Sequence, residues 1–230
     1  MIETLKFDNA TALDVALANQ AATRLETSIQ RCGTASLVVS GGRTPLGFFH
    51  ELSQRSLDWS KVIITLADER WVDNSHSDSN EKLVREHLLI NKAAEAEFVP
   101  LKNGAASAQL GQAQIETRLA ALGEFTLVIL GMGNDGHTAS LFPRSEALRD
   151  GLDMTSGRSC VAVMPLEAPH ERLSLTLPRL LQTEHLVIHI SGAEKQKVLQ
   201  DALDGDNIAE LPIRGVIQQN QCPVTVFWAS

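Results

Sequence analysis

The sequence FTLVILGMGNDGHTASLFP, residues 125–143, decides the fold of this protein. It begins with a continuous apolar run, which is typical of a strand buried on both faces of a parallel sheet. Three glycines then surround one acid and one imidazole: Gly131, Gly133, Gly136, Asp135 and His137. Glycines allow a tight turn and a close approach of a ligand, because they have no Cβ. Since ligands of open α/β sheets bind at the carboxyl ends of strands, we expect this loop to form the floor of a binding site.

Short apolar runs alternate with helical patterns along the rest of the chain. The runs that predict further strands are 36–40, 61–67, 98–101, 159–164, 172–177, 185–191 and 224–228. The helical patterns cover 13–29, 46–53, 75–89, 105–122 and 194–203. This alternation predicts a Rossmann-like α/β fold, with a doubly wound, mostly parallel sheet flanked by helices. No linker divides the chain, so we expect a single α/β domain over 1–230, or the same domain carrying a small lobe around 144–190.

The bulk composition excludes several classes of protein. A chain of 230 residues can bury a sizeable core, and its net charge of −8 disfavours nucleic acid as a partner. The three cysteines are far apart and no metal-ligand spacing occurs, so neither disulfides nor a metal site is indicated. The first residues show no basic segment followed by an apolar core, so we expect no signal peptide, and no apolar run approaches the roughly 20 residues that span a bilayer. We therefore expect a cytoplasmic protein that does not bind a membrane.

A second glycine-rich turn follows the predicted strand SLVVS. Gly41, Gly42 and Thr44 precede Pro45, and proline suits the first turn of a helix. Free N–H groups and the positive end of the helix dipole together favour an anion at such a place. The alternative is an ordinary turn between strand and helix, in which the glycines serve only chain reversal.

Three charged residues, Asp68, Glu69 and Arg70, follow the predicted strand 61–67. Charges at the carboxyl end of a strand are suitable material for a binding site. A solvated face is the alternative interpretation.

The run 131–136 also matches GxGxxG, a pattern typical of dinucleotide sites. In such sites a long helix starts at the motif, yet Pro143 lies only seven residues beyond Gly136. No second strand about 20 residues later ends in the acid that would bind the ribose. The sequence around the motif therefore disfavours a dinucleotide cofactor.

His137 is the best candidate for proton transfer. An unperturbed imidazole titrates near pH 6.5, so it can accept and return a proton at neutral pH. Asp135, two residues away, is suited to orient it. Alternatively, His137 caps a short helix formed by TASLF. His170 lies in a loop with two prolines, where we expect it to be solvated.

With these motifs in place, the sequence resembles the soluble bacterial 6-phosphogluconolactonases. The resemblance rests on SGGRTP at 40–45, ADERWV at 67–72, LGMGNDGHTASLFP at 130–143, and more weakly PHERLSLTLP at 169–178 with ISGAEK at 190–195. The related glucosamine-6-phosphate isomerases/deaminases share the fold and the SGG loop. They have DEY where this chain has Asp68-Glu69-Arg70, and an IAFNEP-like segment where it has TASLFP. Both departures favour the lactonase.

The resemblance implies hydrolysis of 6-phospho-D-glucono-1,5-lactone in the oxidative pentose phosphate pathway, with neither cofactor nor metal. It implies that His137 is the general base, and that Asp68 and Asp135 position water or sugar hydroxyls. The residues that it implies for phosphate binding are Gly41, Gly42, Thr44, Arg70, Arg172 and Lys195. The backbone N–H groups suited to stabilise an oxyanion belong to Gly131, Gly133 and Gly136.

Two other functions stay open at the level of sequence. One is an isomerase/deaminase that acts on an amino sugar phosphate, and the other is a non-catalytic sugar-phosphate-binding protein on the same scaffold. The partner expected in each case is a small phosphorylated sugar. We expect a monomer or a weak homodimer.

Overall fold

The computed structural model describes residues 2–166 and 168–230, which form ten strands and eight α-helices. The strands are β1 (Glu3–Phe7), β2 (Ala35–Val39), β3 (Val62–Leu66), β4 (Asp68–Arg70), β5 (Glu97–Val99), β6 (Leu127–Leu130), β7 (Cys160–Val163), β8 (Arg172–Leu175), β9 (Leu186–Ser191) and β10 (Val224–Ala229). The helices are α1 (Ala10–Cys32), α2 (Leu46–Ser53), α3 (Asn80–His87), α4 (Ala108–Ala120), α5 (Leu148–Leu152), α6 (Leu177–Leu181), α7 (Ala193–Asp204) and α8 (Arg214–Ile217). No helix in the described ranges is long and apolar enough to cross a membrane.

Seven strands form one sheet in the order β1-β10-β9-β6-β2-β3-β5, and every pairing in it is parallel. The predicted α/β fold with a mostly parallel sheet is confirmed. All residues of β2 and β6 are buried, as their uninterrupted apolar runs predict. The strand order changes direction between β2 and β6. Ligands of open α/β sheets bind at such a switch point, and both glycine-rich loops start there.

A second sheet contains three antiparallel strands in the order β4-β8-β7, and the sequence patterns do not predict it. The chain leaves the parallel sheet after β3, and the charged residues Asp68 to Arg70 form β4 beside β8. Asp68 is 5% exposed and Glu69 is 1% exposed, so the alternative of a solvated face is wrong. The side chains of Asp68 and Glu69 are thus buried where the two sheets meet the glycine-rich loops that follow β2 and β6.

The ends of α1 agree with its sequence. The side chain of Asn9 accepts the N–H of Ala12, and Gly33 ends the helix in the left-handed conformation at φ 83°. Strand β1, at one edge of the sheet, is missing from the predictions. Its residues are largely exposed, so it has no buried apolar run.

Asp14 connects α1 to α2. Its buried carboxylate accepts the backbone N–H of Phe48. Burial, together with the nearby Glu51 carboxylate, raises the pKa of Asp14 from 3.8 to about 6. Between these two values the folded chain binds more protons than the unfolded chain, so stability falls as the pH rises through this window.

Asp14→Asn is expected to remove this dependence on pH. The free energy of unfolding of the native protein should decrease by on the order of 1–3 kcal/mol, from this group alone, between about pH 4 and pH 7. The decrease should be smaller in the variant, because asparagine does not titrate. Urea unfolding at both pH values measures this difference. An identical decrease in both proteins would contradict the assignment.

Candidate active site

A cleft opens at the carboxyl ends of β2 and β6, and it contains most of the predicted site residues. Those that line it are Gly41, Gly42, Thr44, Asp68, Arg70, Gly131, Gly133, His137, Arg172 and Lys195. Asp135 and Gly136 do not line it. Asp135 lies next to the His137 ring, while Gly136 packs against Leu211 and accepts the N–H of Ile213 through its carbonyl.

The loop after β6 folds as a series of tight turns. Neither the short helix considered for TASLF nor the long helix of a dinucleotide site follows it, and the next helix is α5. The N–H of Gly133 donates to the carbonyl of His137 at 2.8 Å, and the N–H of Gly136 donates to the carbonyl of Gly133 at 3.1 Å. These two N–H groups are therefore occupied, which corrects their proposed role in binding an oxyanion. The N–H of Gly131 has only a long contact, 3.4 Å from the Ser40 hydroxyl.

His137 and Asp135 form a close pair. Nδ1 of His137 lies 2.5 Å from Oδ1 of Asp135, and the imidazole ring packs on Phe142 with 4.4 Å between centroids. Burial alone would raise the pKa of Asp135, but the hydrogen bond and charge of His137 outweigh it and hold this pKa below its usual value. An ionised Asp135 fixes the tautomer with hydrogen on Nδ1. Nε2 is then the atom that can accept a proton.

Gly133 provides a steric test of this pair. A Cβ at this position would lie 2.1 Å from Nδ1 of His137 and 2.4 Å from Oδ1 of Asp135. We therefore expect Gly133→Ala to separate the two side chains and to lower kcat by about tenfold or more, because a positioned general base contributes about 10²–10⁴-fold. Gly104→Ala is the matched control, since a Cβ there meets nothing within 4 Å. Steady-state kinetics of both variants make the comparison, and equal kcat values would contradict this geometry.

The turn after β2 is suited to bind an anion. Gly42 adopts φ 92°, and α2 starts at Leu46 with Pro45 as its N-cap and no side-chain cap hydrogen bond from that residue. Thr44 and Pro45, which directly precede α2, line the cleft, so the positive end of the α2 dipole lies next to it. At position 41 only glycine fits for a steric reason, because a Cβ there would lie 1.8 Å from Oδ1 of Asn80. Asn80 also lines the cleft, although no sequence motif indicates it.

Two arginines meet because β4 pairs with β8 in antiparallel register, which places Arg70 opposite Arg172. Arg70 donates from Nη1 to the carbonyl of Asp78 at 2.6 Å. The Arg172 guanidinium stacks over Phe142 at 5.1 Å. Among the described residues, Nε of each arginine is buried without a hydrogen-bond partner. Both arginines line the cleft, so their guanidinium groups are placed where an anion could bind.

Asp68 holds Arg172 in place. Its Oδ2 lies 3.8 Å from Nη1 of Arg172 and accepts the hydroxyl of Ser140. The amide of Asn80 donates to the backbone carbonyl of Asp68 at 2.8 Å. Burial lowers the pKa of Arg172, and the Asp68 charge opposes this effect. Ser140 was not predicted, and the only signal for it is its position three residues after His137.

Glu69 fixes the other arginine through the backbone. Its buried carboxylate accepts the N–H groups of Arg70, Asn80 and Glu81 at 2.7 Å each, and also the Ser79 hydroxyl at 3.1 Å. Burial raises the pKa of Glu69, although these N–H groups oppose the change. The contacts bury the first turn of α3, while His87 at its other end is exposed. Glu69 therefore joins β4 to α3 and determines where Arg70 and Asn80 lie.

Lys195 is a further cation that lines the cleft, in addition to Arg70 and Arg172. It lies in the first turn of α7, after Gly192 at φ 87°. Burial lowers the pKa of Lys195, and the Asp135 carboxylate opposes this effect. The cleft is thus lined by the imidazole of His137 and by cations from β4, β8 and α7.

The cleft does not contain a group of metal ligands among the described residues. The one group of three that the described part of the chain offers, His76, Asp78 and His170, lies beside it. The expectation that His170 is solvated is wrong, because its Nε2 lies 3.0 Å from Oδ2 of Asp78 and its side chain is 29% exposed.

Comparisons with known proteins agree with this geometry. The family model described as glucosamine-6-phosphate isomerases/6-phosphogluconolactonase matches residues 8–228. A 6-phosphogluconolactonase of Rhizobium meliloti is 44% identical over 224 residues, which is 97% of each chain. One of Pseudomonas putida is 40% identical over 96% of this chain and 90% of its own.

Solved structures show the same relationship. A 6-phosphogluconolactonase from Shewanella baltica is 44% identical, with a TM-score of 0.98 over 100% of this chain and 98% of that one. A monomeric glucosamine-6-phosphate deaminase, at 16% identity and a TM-score of 0.82 over 99% and 97%, shares the fold. The chain belongs to the family of glucosamine-6-phosphate isomerases and 6-phosphogluconolactonases.

Proposed function

We propose that this protein hydrolyses 6-phospho-D-glucono-1,5-lactone to 6-phospho-D-gluconate, in the oxidative pentose phosphate pathway. The observation that carries the proposal is the pairing of His137 with Asp135 in a cleft that Arg70, Arg172 and Lys195 line with positive charge. This reaction needs a general base that deprotonates water and a site that binds the phosphate group of the substrate. The relatives with 40–44% identity are named for the same activity.

The phosphate is assigned to the turn after β2 and to the cations around it. Gly41, Gly42 and Thr44 supply the turn, and Lys195 supplies a point charge. The two guanidinium groups can each offer a fork of N–H donors to phosphate oxygens. Asp68 and Ser140 orient Arg172, so we assign Asp68 a positioning role and not direct contact with water.

His137 is assigned the proton transfers. Its Nε2 removes a proton from water as the oxygen attacks C1 of the lactone, and a tetrahedral oxyanion forms. The imidazolium then returns this proton to the ring oxygen as the C1–O bond breaks, which gives the open-chain acid. Asp135 stabilises the imidazolium between the two steps. A δ-lactone is a reactive ester, so this route needs neither a metal nor a covalent intermediate.

The direct test is the loss of freshly prepared 6-phosphogluconolactone at neutral pH, followed by NMR with and without EDTA. We expect the protein to accelerate the reaction above the spontaneous rate, to the same extent in both samples. An absence of acceleration would refute the proposal. Release of ammonia from glucosamine 6-phosphate, measured in parallel, would favour the deaminase alternative instead.

A further inference from the structure

A second cluster of functional side chains lies beside the cleft, where the loop between β4 and α3 meets the residues just before β8. It consists of His76, Asp78 and His170. We infer that these three residues bind a divalent transition-metal ion of the zinc class, at a site separate from the pair that transfers protons.

The distances fit a metal with small adjustments. Nε2 of His170 lies 3.0 Å from Oδ2 of Asp78, and Nδ1 of His76 lies 3.9 Å from the same oxygen. All three ligand atoms lie within 4.8 Å of one another. Ligands about 2.0–2.1 Å from a tetrahedral zinc ion are separated by roughly 3.4 Å, so shifts of about 1 Å bring the three ligand atoms to that spacing and leave the fourth position to a ligand from solvent. The side chains of His76 and Asp78 are 45% and 46% exposed, so they can make shifts of that size by small rotations about χ angles.

The chemistry of the donors selects the metal. Two imidazole nitrogens and one carboxylate oxygen suit Zn²⁺, Co²⁺ or Ni²⁺ better than Mg²⁺ or Ca²⁺, which prefer all-oxygen shells. Nδ1 of His76 accepts the backbone N–H of Asp78 at 3.1 Å. This contact keeps the hydrogen off Nδ1, and the lone pair that a metal needs is therefore present on that atom. A bound ion would take the place of the backbone hydrogen bond.

The backbone holds the cluster together before a metal arrives. His170 adopts φ 70°, a conformation that residues other than glycine rarely adopt, and its ring packs edge-on against His76 with 5.3 Å between centroids. The carbonyl of Glu171 accepts the N–H of Trp71 at 2.7 Å, and the carbonyl of Asp78 accepts Nη1 of Arg70. The first of these bonds joins the two loops at their backbones and the second fixes the backbone at Asp78, which lowers the entropic cost of bringing the ligands together.

A metal in this position would join the loop that follows β4 to the loop that precedes β8, and these two strands carry the phosphate arginines. Arg70 is bonded to the Asp78 carbonyl, and Arg172 follows His170 by two residues. The ion has no part in the proton transfers assigned to His137. Hydrolysis in the presence of EDTA therefore tests the proposed function, while metal binding tests this inference independently.

The experiment is a calorimetric titration of the full-length protein with Zn²⁺ at neutral pH, after removal of metals by dialysis against EDTA. We expect one site in the native protein. His76→Ala and His170→Asn should each weaken it by about tenfold or more, since even residues behind the ligands contribute 10–100-fold. Asparagine at position 170 tolerates the positive φ, so this variant keeps the backbone conformation. Titration with Co²⁺ should give visible absorption bands that both variants lose.

Two controls distinguish this site from other histidines. His87→Ala removes an exposed imidazole at the far end of α3 and should bind Zn²⁺ as the native protein does. His137→Ala should also keep the site. The inference is overturned if the native protein shows no site, if the His76 and His170 variants bind Zn²⁺ unchanged, or if His137→Ala is the variant that loses it.

Discussion

His137→Ala is expected to lower kcat for lactone hydrolysis by about 10²–10⁴-fold, the usual contribution of a positioned general base. The physical reason is that no other imidazole of the cleft can replace it. His189 also lines the cleft, but it is buried, and burial lowers its pKa to about 4, which makes it a poor proton acceptor at neutral pH. Affinity for 6-phosphogluconate should change little, because the phosphate contacts lie elsewhere.

The measurement is initial rates by NMR, corrected for spontaneous hydrolysis, together with calorimetric titration of 6-phosphogluconate. Asp135→Asn is the informative companion, because it keeps the size of the side chain and removes the charge that favours the imidazolium. It should lower kcat by a smaller factor than His137→Ala. If His137→Ala keeps the native kcat, the base lies elsewhere and the assignment fails.

Arg172→Ala is expected to weaken phosphate binding strongly. A hydrogen bond to a charged group contributes about 1.5–3 kcal/mol, which corresponds to a roughly 10–100-fold rise in KM and in Kd for 6-phosphogluconate. The substitution also leaves the buried Asp68 without its cation, so the free energy of unfolding should fall. The effect on kcat should be small by comparison, because the reacting C1 lies away from the phosphate.

Arg172→Lys separates charge from geometry. Lysine keeps the cation and loses the planar fork, so it should restore part of the affinity and most of the stability. Arg158→Ala is the matched control, since Arg158 is an exposed arginine paired with Asp150 outside the cleft. An unchanged KM in Arg172→Ala, in a variant shown by circular dichroism to be folded, would contradict the phosphate assignment.

Much of the fold could be predicted because its signals are local. A continuous apolar run indicates a strand buried on both faces, and glycines directly after β2 and β6 mark turns that other residues would not allow. Parallel strands place their carboxyl ends at one edge of the sheet, so the chemistry of both turns was expected in one cleft. Strand β1 escaped prediction because its own residues are largely exposed and form no continuous apolar run.

The second sheet was not predictable in the same way. Pairing of β4 with β8 depends on register between segments that are about a hundred positions apart, and no local pattern specifies it. The partners of Asp68 show the same limit, since Ser140 lies 72 positions away and is an ordinary serine in the sequence. Occupation of the Gly133 and Gly136 N–H groups inside their own loop also follows from the folded geometry alone.

The sequence by itself determined the α/β class, the two glycine-rich turns and the presence of a histidine with an acid two residues before it. These are properties of backbone sterics and hydrophobic periodicity, which act over a few residues. Only the tertiary structure decided that Arg70 lies beside Arg172, that Asp68 holds Arg172, and that His170 meets Asp78 across 92 positions. Such contacts depend on how the whole core packs, because a buried charge is stable only where the folded chain supplies its partner.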